Sequence, residues 1–178
     1  MGVNARTVMS ADDISRAITR ISHEILESNH GSHNLLLLGI PTRGATLAAR
    51  IAKTINRVES GANVEHGSID PTMYRDDLSG HPTRTLAGSS IPASGVEGMT
   101  VVLVDDVLYS GRTVRAALDA ISDFGRPQAV RLAVLIDRGH RELPIRADFV
   151  GKNLPSAKNE RIFVQLSEND SQDRVVIE

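Results

Sequence analysis

Residues 101–113, Val-Val-Leu-Val-Asp-Asp-Val-Leu-Tyr-Ser-Gly-Arg-Thr, leave few folds open to this chain. The apolar run Val101 to Val104 reads as a strand buried on both faces, as in a parallel sheet. Two adjacent carboxylates, Asp105 and Asp106, follow where that strand ends. A short loop, Tyr109-Ser110-Gly111-Arg112-Thr113, then leads into Val114, Ala117, Leu118 and Ile121, the spacing of one helix face. Gly125 and Pro127 stop that helix. Its unpaired N–H groups and positive dipole end therefore face the loop. Ser110 and Thr113 add hydroxyl donors, and Gly111 lets backbone come close to an anion. The result is a nest for a phosphate monoester. Asp105 and Asp106 would repel that phosphate, so they serve another part of the ligand. Carboxylates accept hydrogen bonds from paired ribose hydroxyls, or bind Mg²⁺ directly or through water. Together these features describe a ribose 5-phosphate with further phosphate on C1. An incidental acidic pair is the weaker alternative, because carboxylates at a buried strand end are costly without a partner.

The rest of the chain alternates helices and strands, with no internal repeat. Ser10 and Asp13 resemble a capping box. Ile14, Ala17, Ile18, Ile21 and Ile25 then form the stripe of a helix over about 11–28. Leu35 to Leu38 reads as a buried strand ending at Gly39, with a helix from about Gly44 to Glu59. Val64 to Ile69 and Val130 to Ile136 read as further strands, with short ones near 147–151, 161–166 and 174–177. A long loop over about 74–98 is rich in Gly, Pro, Ser and Thr from residue 78 on, and loops of that length are functional or disordered. The pattern predicts one α/β domain over 1–178: a mainly parallel central sheet flanked by helices, with a small cap from about 137–178.

A second loop, Gly39-Ile40-Pro41-Thr42-Arg43-Gly44, also joins a strand to a helix, so it lies on the same sheet edge as 105–113. Its helix N-terminus suits an anion, and Arg43 supplies a fork. Taken alone, a plain strand-to-helix turn with a surface Arg is an equal reading.

Residues 101–113 fill every position of the phosphoribosyl pyrophosphate (PRPP) signature and so resemble the type I phosphoribosyltransferases. The stretches Thr19-Arg20-Ile21-Ser22-His23-Glu24-Ile25 and Asp137-Arg138-Gly139-His140-Arg141-Glu142-Leu143-Pro144-Ile145-Arg146-Ala147-Asp148, then Gly151-Lys152-Asn153, are similar to the PyrR family of pyrimidine operon regulators. That resemblance spans about 5–177 and weakens in the long loop and at both ends. It implies the type I phosphoribosyltransferase fold with a C-terminal hood and a mobile loop. It also implies conversion of uracil and PRPP to UMP and pyrophosphate with Mg²⁺, and binding of pyr operon leader mRNA under control of UMP or UTP. The expected form is a homodimer or higher homo-oligomer.

The resemblance also distributes roles. Tyr109, Ser110, Gly111, Arg112 and Thr113 take the 5-phosphate of PRPP or UMP. Asp105 and Asp106 hold the ribose hydroxyls and the metal. Thr42, Arg43 and Gly44 take pyrophosphate, with Arg75 assisting from the loop stem and Asp76 and Asp77 weaker candidates beside it. A non-proline cis peptide is expected near Thr42 and Arg43. Asp137, Arg138 and Ile162 flank uracil. Thr19, Arg20, His23, His140, Arg141, Arg146 and Lys152 match the RNA-binding pattern. Purine-type members carry an acid where Tyr109 stands, which turns the expected base toward a pyrimidine. Two departures stand out. Pro41 in the pyrophosphate loop lacks an N–H, and Ser110 replaces the commoner Thr but keeps the hydroxyl.

Composition excludes several classes. The 178 residues include no cysteine, so disulfides and thiolate metal sites are ruled out. No apolar run is long enough to span a bilayer, and the N-terminus has no apolar signal core, so a cytoplasmic protein is expected. His30, His33 and His66 show no metal-ligand spacing. A net charge of −2 gives no global attraction for nucleic acid. Arg16, Arg20 and His23 share one face of the first helix, which without the resemblance is a solvated face. A phosphoribosyltransferase for another base without an RNA role is the alternative function. A pure nucleotide-sensing regulator is the third, opposed by the presence of Arg43, Arg75, Asp105 and Asp106.

Overall fold

The computed structural model describes residues 5–76 and 88–178. Its centre is a sheet of five parallel strands in the order β3-β2-β4-β5-β6. These are β2 (Leu35–Gly39), β3 (Glu65–Ser68), β4 (Thr100–Leu108), β5 (Ala129–Asp137) and β6 (Phe149–Asn153). The apolar runs form the sheet's middle because helices cover both faces. Helices α1 (Ala11–Ser28) and α2 (Arg43–Val58) cover one face, over Leu35, Leu37, Val102, Val104 and Leu135. Helix α3 (Arg112–Ile121) packs on the other, over Leu36, Leu38, Val101, Leu103 and Val134. Alternate residues of each strand thus feed two separate cores.

Helix α1 starts at the capping box read from the sequence. The Asp13 N–H donates to Ser10 Oγ at 3.2 Å, and the Ser10 N–H to the Asp13 carboxylate at 2.8 Å. Three differences from the sequence reading matter. A strand β1 (Arg6–Met9), not anticipated, joins β7 (Ile162–Gln165) and β8 (Arg174–Ile177) in a small antiparallel sheet ordered β1-β8-β7. Strand β6, expected in the cap, is instead the edge of the central sheet, paired with β5 from Ala133–Phe149 to Asp137–Asn153. Strand β4 runs on through the acidic pair to Leu108, because its ladder with β5 continues to Leu108–Asp137. The central part of the expected long loop, 77–87 with Asp77, lies outside the described residues. The neck of that loop is closed by two hydrogen bonds of 2.9 Å between Ser68 and Ser90.

Candidate active site

The site forms because β2 is shorter than β4. Strand β2 ends at Gly39, opposite Val104, while β4 continues for four more residues paired only with β5. The chain after β2 crosses in front of that exposed stretch, with the Ile40 N–H donating to the Val104 carbonyl at 2.8 Å. Helix α2 then starts almost in contact with β4. A Cβ on Gly44 would lie 2.5 Å from the Val104 carbonyl oxygen and 3.3 Å from the Asp105 Cα. The peptide bond between Pro41 and Thr42 is cis.

Two adjoining cavities open here. The first, about 360 Å³, is lined by Tyr109 to Thr113 and by Arg75, Asp105, Val107 and Glu142. The second, about 560 Å³, is lined by Ile40 to Arg43, Asp70 to Thr72, Arg75, Asp106 and Thr113. Arg75, Asp105, Val107 and Thr113 border both. Asp105, Asp106, Thr42, Arg43, Arg75 and the loop 109–113 are therefore gathered in one place.

At the first cavity Gly111 caps α3 with φ +93°, a left-handed conformation that favours glycine. The Arg112 N–H donates to Ser110 Oγ at 3.3 Å. The segment 138–145 props the loop from outside. The N–H groups of Glu142 and Leu143 donate to the Ser110 carbonyl, and Arg141 donates to the Tyr109 carbonyl at 3.0 Å. The Arg112 side chain is held between Asp76 at 2.8 Å and Glu142 at 3.2 Å.

Asp105 is buried and Asp106 half-buried. Burial, then the charge of Asp106, push the Asp105 carboxyl well above its usual range, and Arg75 pulls it back. Two carboxylates crowded at a strand end call for a cation or hydroxyl donors. Among the described residues no three His, Cys, Asp or Glu side chains cluster to hold a metal by themselves. A Mg²⁺ here would take one or two carboxylates from Asp105 and Asp106 and its remaining oxygens from water and ligand phosphates. That is how Mg²⁺ is ordinarily held, and the donor set fits it.

The three residues assigned to the base do not line either cavity. The buried Arg138 guanidinium lies 4.4 Å from the centre of the Tyr109 ring and donates to the carbonyls of Ala157 and Glu160, both at 2.9 Å. Asp137 accepts from Arg141 at 2.6 Å. Ile162 packs against the α1–α2 core. The arginine expected at the base thus sits against the ring of Tyr109, which itself lines the first cavity.

The basic residues on α1 and β6 meet at one sheet edge. Arg20 donates to the carbonyls of Val150 and Gly151 and pairs with Glu24, and Lys152 Nζ donates to the Val8 carbonyl at 3.0 Å. His23 and Arg146 are exposed, and Thr19 donates to the Ser15 carbonyl. His140 bonds the Ser156 carbonyl. Arg141 spends its donors on Ile145, Tyr109 and Asp137 within the chain.

Sequence reasoning missed three residues that shape the site. Asp70 borders the second cavity and accepts the N–H groups of Thr72 and Gly88 at 3.0 Å, bridging both sides of the loop neck. Glu142 and Asp170 hold the arginines of the two loops. The Asp-Pro-Thr order at 70–72, an Asx-type turn, was the available signal for Asp70.

The phosphoribosyl transferase domain model matches residues 8–171. The Bifunctional protein PyrR of Leifsonia xyli is 66% identical over 97% of this chain and 96% of its own. That of Streptomyces coelicolor is 57% identical over 97% and 89%. The chain belongs to the PyrR family. Among solved structures, a hypoxanthine-guanine phosphoribosyltransferase from Bacillus anthracis superposes with a TM-score of 0.72 over 98% of both chains, at 17% identity. At that identity the likeness concerns the type I phosphoribosyltransferase fold alone. No helix among the described residues is long and apolar enough to cross a membrane.

Proposed function

We propose that this PyrR-family chain converts uracil and PRPP to UMP and pyrophosphate, and regulates pyrimidine biosynthesis genes by binding pyr leader mRNA under control of uridine nucleotides. The observation that carries the enzymatic reading is the pair of cavities meeting at Asp105. One has a helix N-terminus flanked by Glu142, which is paired with Arg112, with Asp105 at the border it shares with the second cavity, as a 5-phosphate joined to a ribose requires. The other combines a second helix N-terminus, Arg43, Arg75 and the acidic pair, as a pyrophosphate with metal and ribose hydroxyls requires. The distance between phosphate ends is then bridged by the ribose, with its hydroxyls at Asp105 and Asp106.

The reaction is a displacement at C1 through an oxocarbenium-like state. The bond to pyrophosphate breaks while uracil N1 bonds to C1 and loses its proton. Positioning and electrostatics supply most of the acceleration. Mg²⁺, when bound, offsets charge on the leaving pyrophosphate. Asp105 and Asp106 orient the ribose and favour positive charge developing beside them. Tyr109, supported by Arg138, presents an aromatic wall and no acid, which suits a pyrimidine. A turnover assay offering uracil, hypoxanthine, guanine and orotate tests this. UMP formation is expected, and another nucleotide formed in its place would sink the reading.

For RNA, the supporting observation is that Arg20 reaches Gly151, the neighbour of Lys152, so the α1 and β6 basic residues form one continuous face. Arg141, like Arg20 and Lys152, also donates within the chain. A gel shift with the operon leader should show salt-sensitive binding enhanced by UMP or UTP. Binding indifferent to both nucleotide and salt would remove the regulatory role. The working form is a homodimer or higher homo-oligomer, testable by sedimentation.

A further inference from the structure

The face of α2 nearest the second cavity is fastened to the turn between β7 and β8. That turn contains a short helical segment, α4 (Ser167–Asp170). Three side chains one helical turn apart make the attachment. Arg43 bonds Asp170, Thr46 Oγ1 donates to Asn169 at 2.9 Å, and Arg50 pairs with Glu168 and with Asp173 at 2.7 Å. Only the first of these borders the cavity.

The geometry at Arg43 is specific. Its Nε donates to Asp170 Oδ2 at 3.0 Å and its Nη2 to Oδ1 at 2.5 Å, a two-point grip on one edge of the guanidinium. Asp170 is itself fixed by accepting the Leu166 N–H at 3.0 Å. The grip uses one bidentate edge of the fork, whereas a guanidinium has two. The other edge, formed by the two terminal nitrogens, is not taken up by this grip, and Arg43 lines the cavity. A long, flexible side chain is thereby held in one orientation before any ligand arrives, which lowers the entropy lost on binding.

We propose that Asp170 is a positioning residue for the pyrophosphate half of the site, acting through Arg43. This rests on the reading of the second cavity as the pyrophosphate site. The recognised feature is a diphosphate on C1, so Asp170 governs ligands that carry one and not those that end at the 5-phosphate. The pairing joins residues 127 apart in sequence. It places the β7–β8 turn, otherwise remote from the chemistry, in control of one arginine.

The test is Asp170→Asn, which keeps the shape and one acceptor but removes the two-point charged grip. With Mg²⁺ present, the KM for PRPP and the Kd for inorganic pyrophosphate should rise about tenfold, at the low end for loss of an orienting partner. The Kd for UMP, which lacks the diphosphate, should stay within about twofold of wild type. Asp173→Asn is the control. It loosens the same turn from Arg50 without touching Arg43, and it should leave the PRPP KM unchanged. Equal loss in both variants would mean a merely structural role and overturn the proposal. Tighter pyrophosphate binding by Asp170→Asn would also overturn it, since Asp170 would then be a competitor for Arg43. Failure of the wild-type protein to bind PRPP or pyrophosphate at all would refute the underlying assignment of the cavity instead.

Discussion

Gly44→Ala offers a sharp test of how the site is built, because it adds one methyl group at the closest approach between α2 and β4. The new Cβ would lie 2.5 Å from the Val104 carbonyl oxygen, against an ordinary contact of 3.4 Å or more. The obstacle is backbone, held in the β4–β5 ladder, so α2 must retreat by about 0.9 Å at its N-terminus. The stability cost of such overpacking is about 1–3 kcal/mol. The functional cost is larger in kind. The retreat separates Thr42 and Arg43 from Asp105, and a misplacement near 1 Å costs about 100-fold in rate, or about 2.7 kcal/mol. UMP formation should therefore fall about 100-fold in kcat/KM. UMP binding at the α3 end should change little, because α3 and β4 do not move. Steady-state kinetics with PRPP varied, beside calorimetric titration with UMP and a thermal melt, separate these outcomes. A kcat/KM within about threefold of wild type would show that the α2–β4 contact does not set the distance between the two halves of the site. Equal loss of UMP binding would refute the claim that the two cavities respond independently.

Two other predictions follow from the acids. Asp105→Asn with Asp106→Asn should abolish turnover and leave RNA binding largely intact in a gel shift; equal loss of both would mean that site and RNA face are not separable. Asp173 is held down to a pKa of about 2, chiefly by its hydrogen bond to Arg50. A carboxylate depressed from 3.8 adds stability above pH 3.8 and loses it as pH falls to about 2. The difference in Tm between wild type and Asp173→Asn should thus be constant near neutral pH and shrink across that acid window. A difference that persists below pH 2 would assign it to packing.

The sheet was legible because apolar runs of four or five residues need burial on both faces. Leu35–Leu38, Val101–Val104 and Val130–Ile136 all became central strands. The acidic pair and the glycine loop were legible because local spacing fixes them relative to one strand. Local pattern fails where a partner far along the chain decides the structure. Only Met9 is buried in β1, which exists because residues 6–9 pair with 175–177. The extension of β4 through Asp105 and Asp106 depends on β5 continuing beside it, against the polarity of its own residues. Arg138 was placed at the base by the family resemblance alone; its bonds to the 157–160 turn depend on residues about twenty positions later, which local pattern does not reveal.

The arginines carry the last consequence. The sequence reading places Arg43 at pyrophosphate, Arg112 at the 5-phosphate and Arg141 on RNA. In the fold each already meets a carboxylate: Asp170 for Arg43, Asp76 and Glu142 for Arg112, and Asp137 for Arg141. A phosphate bound at the α3 end, as proposed, would therefore draw on backbone N–H groups and the helix end more than on side-chain charge. Arg112→Gln alone would not test this, since it strands Asp76 and Glu142 beside the anion. The balanced variant is Arg112→Gln with Glu142→Gln, which removes one charge of each sign. Its UMP Kd should stay within about threefold of wild type, because the helix-end contribution is retained. Gly111→Ala should cost more, about tenfold, because φ +93° disfavours a Cβ and the methyl would meet the Ile145 Cβ at 3.3 Å, displacing the amides themselves. The comparison is made by titrating UMP into each folded variant. If the balanced pair loses more affinity than Gly111→Ala, Arg112 is a direct phosphate ligand and the backbone nest is secondary.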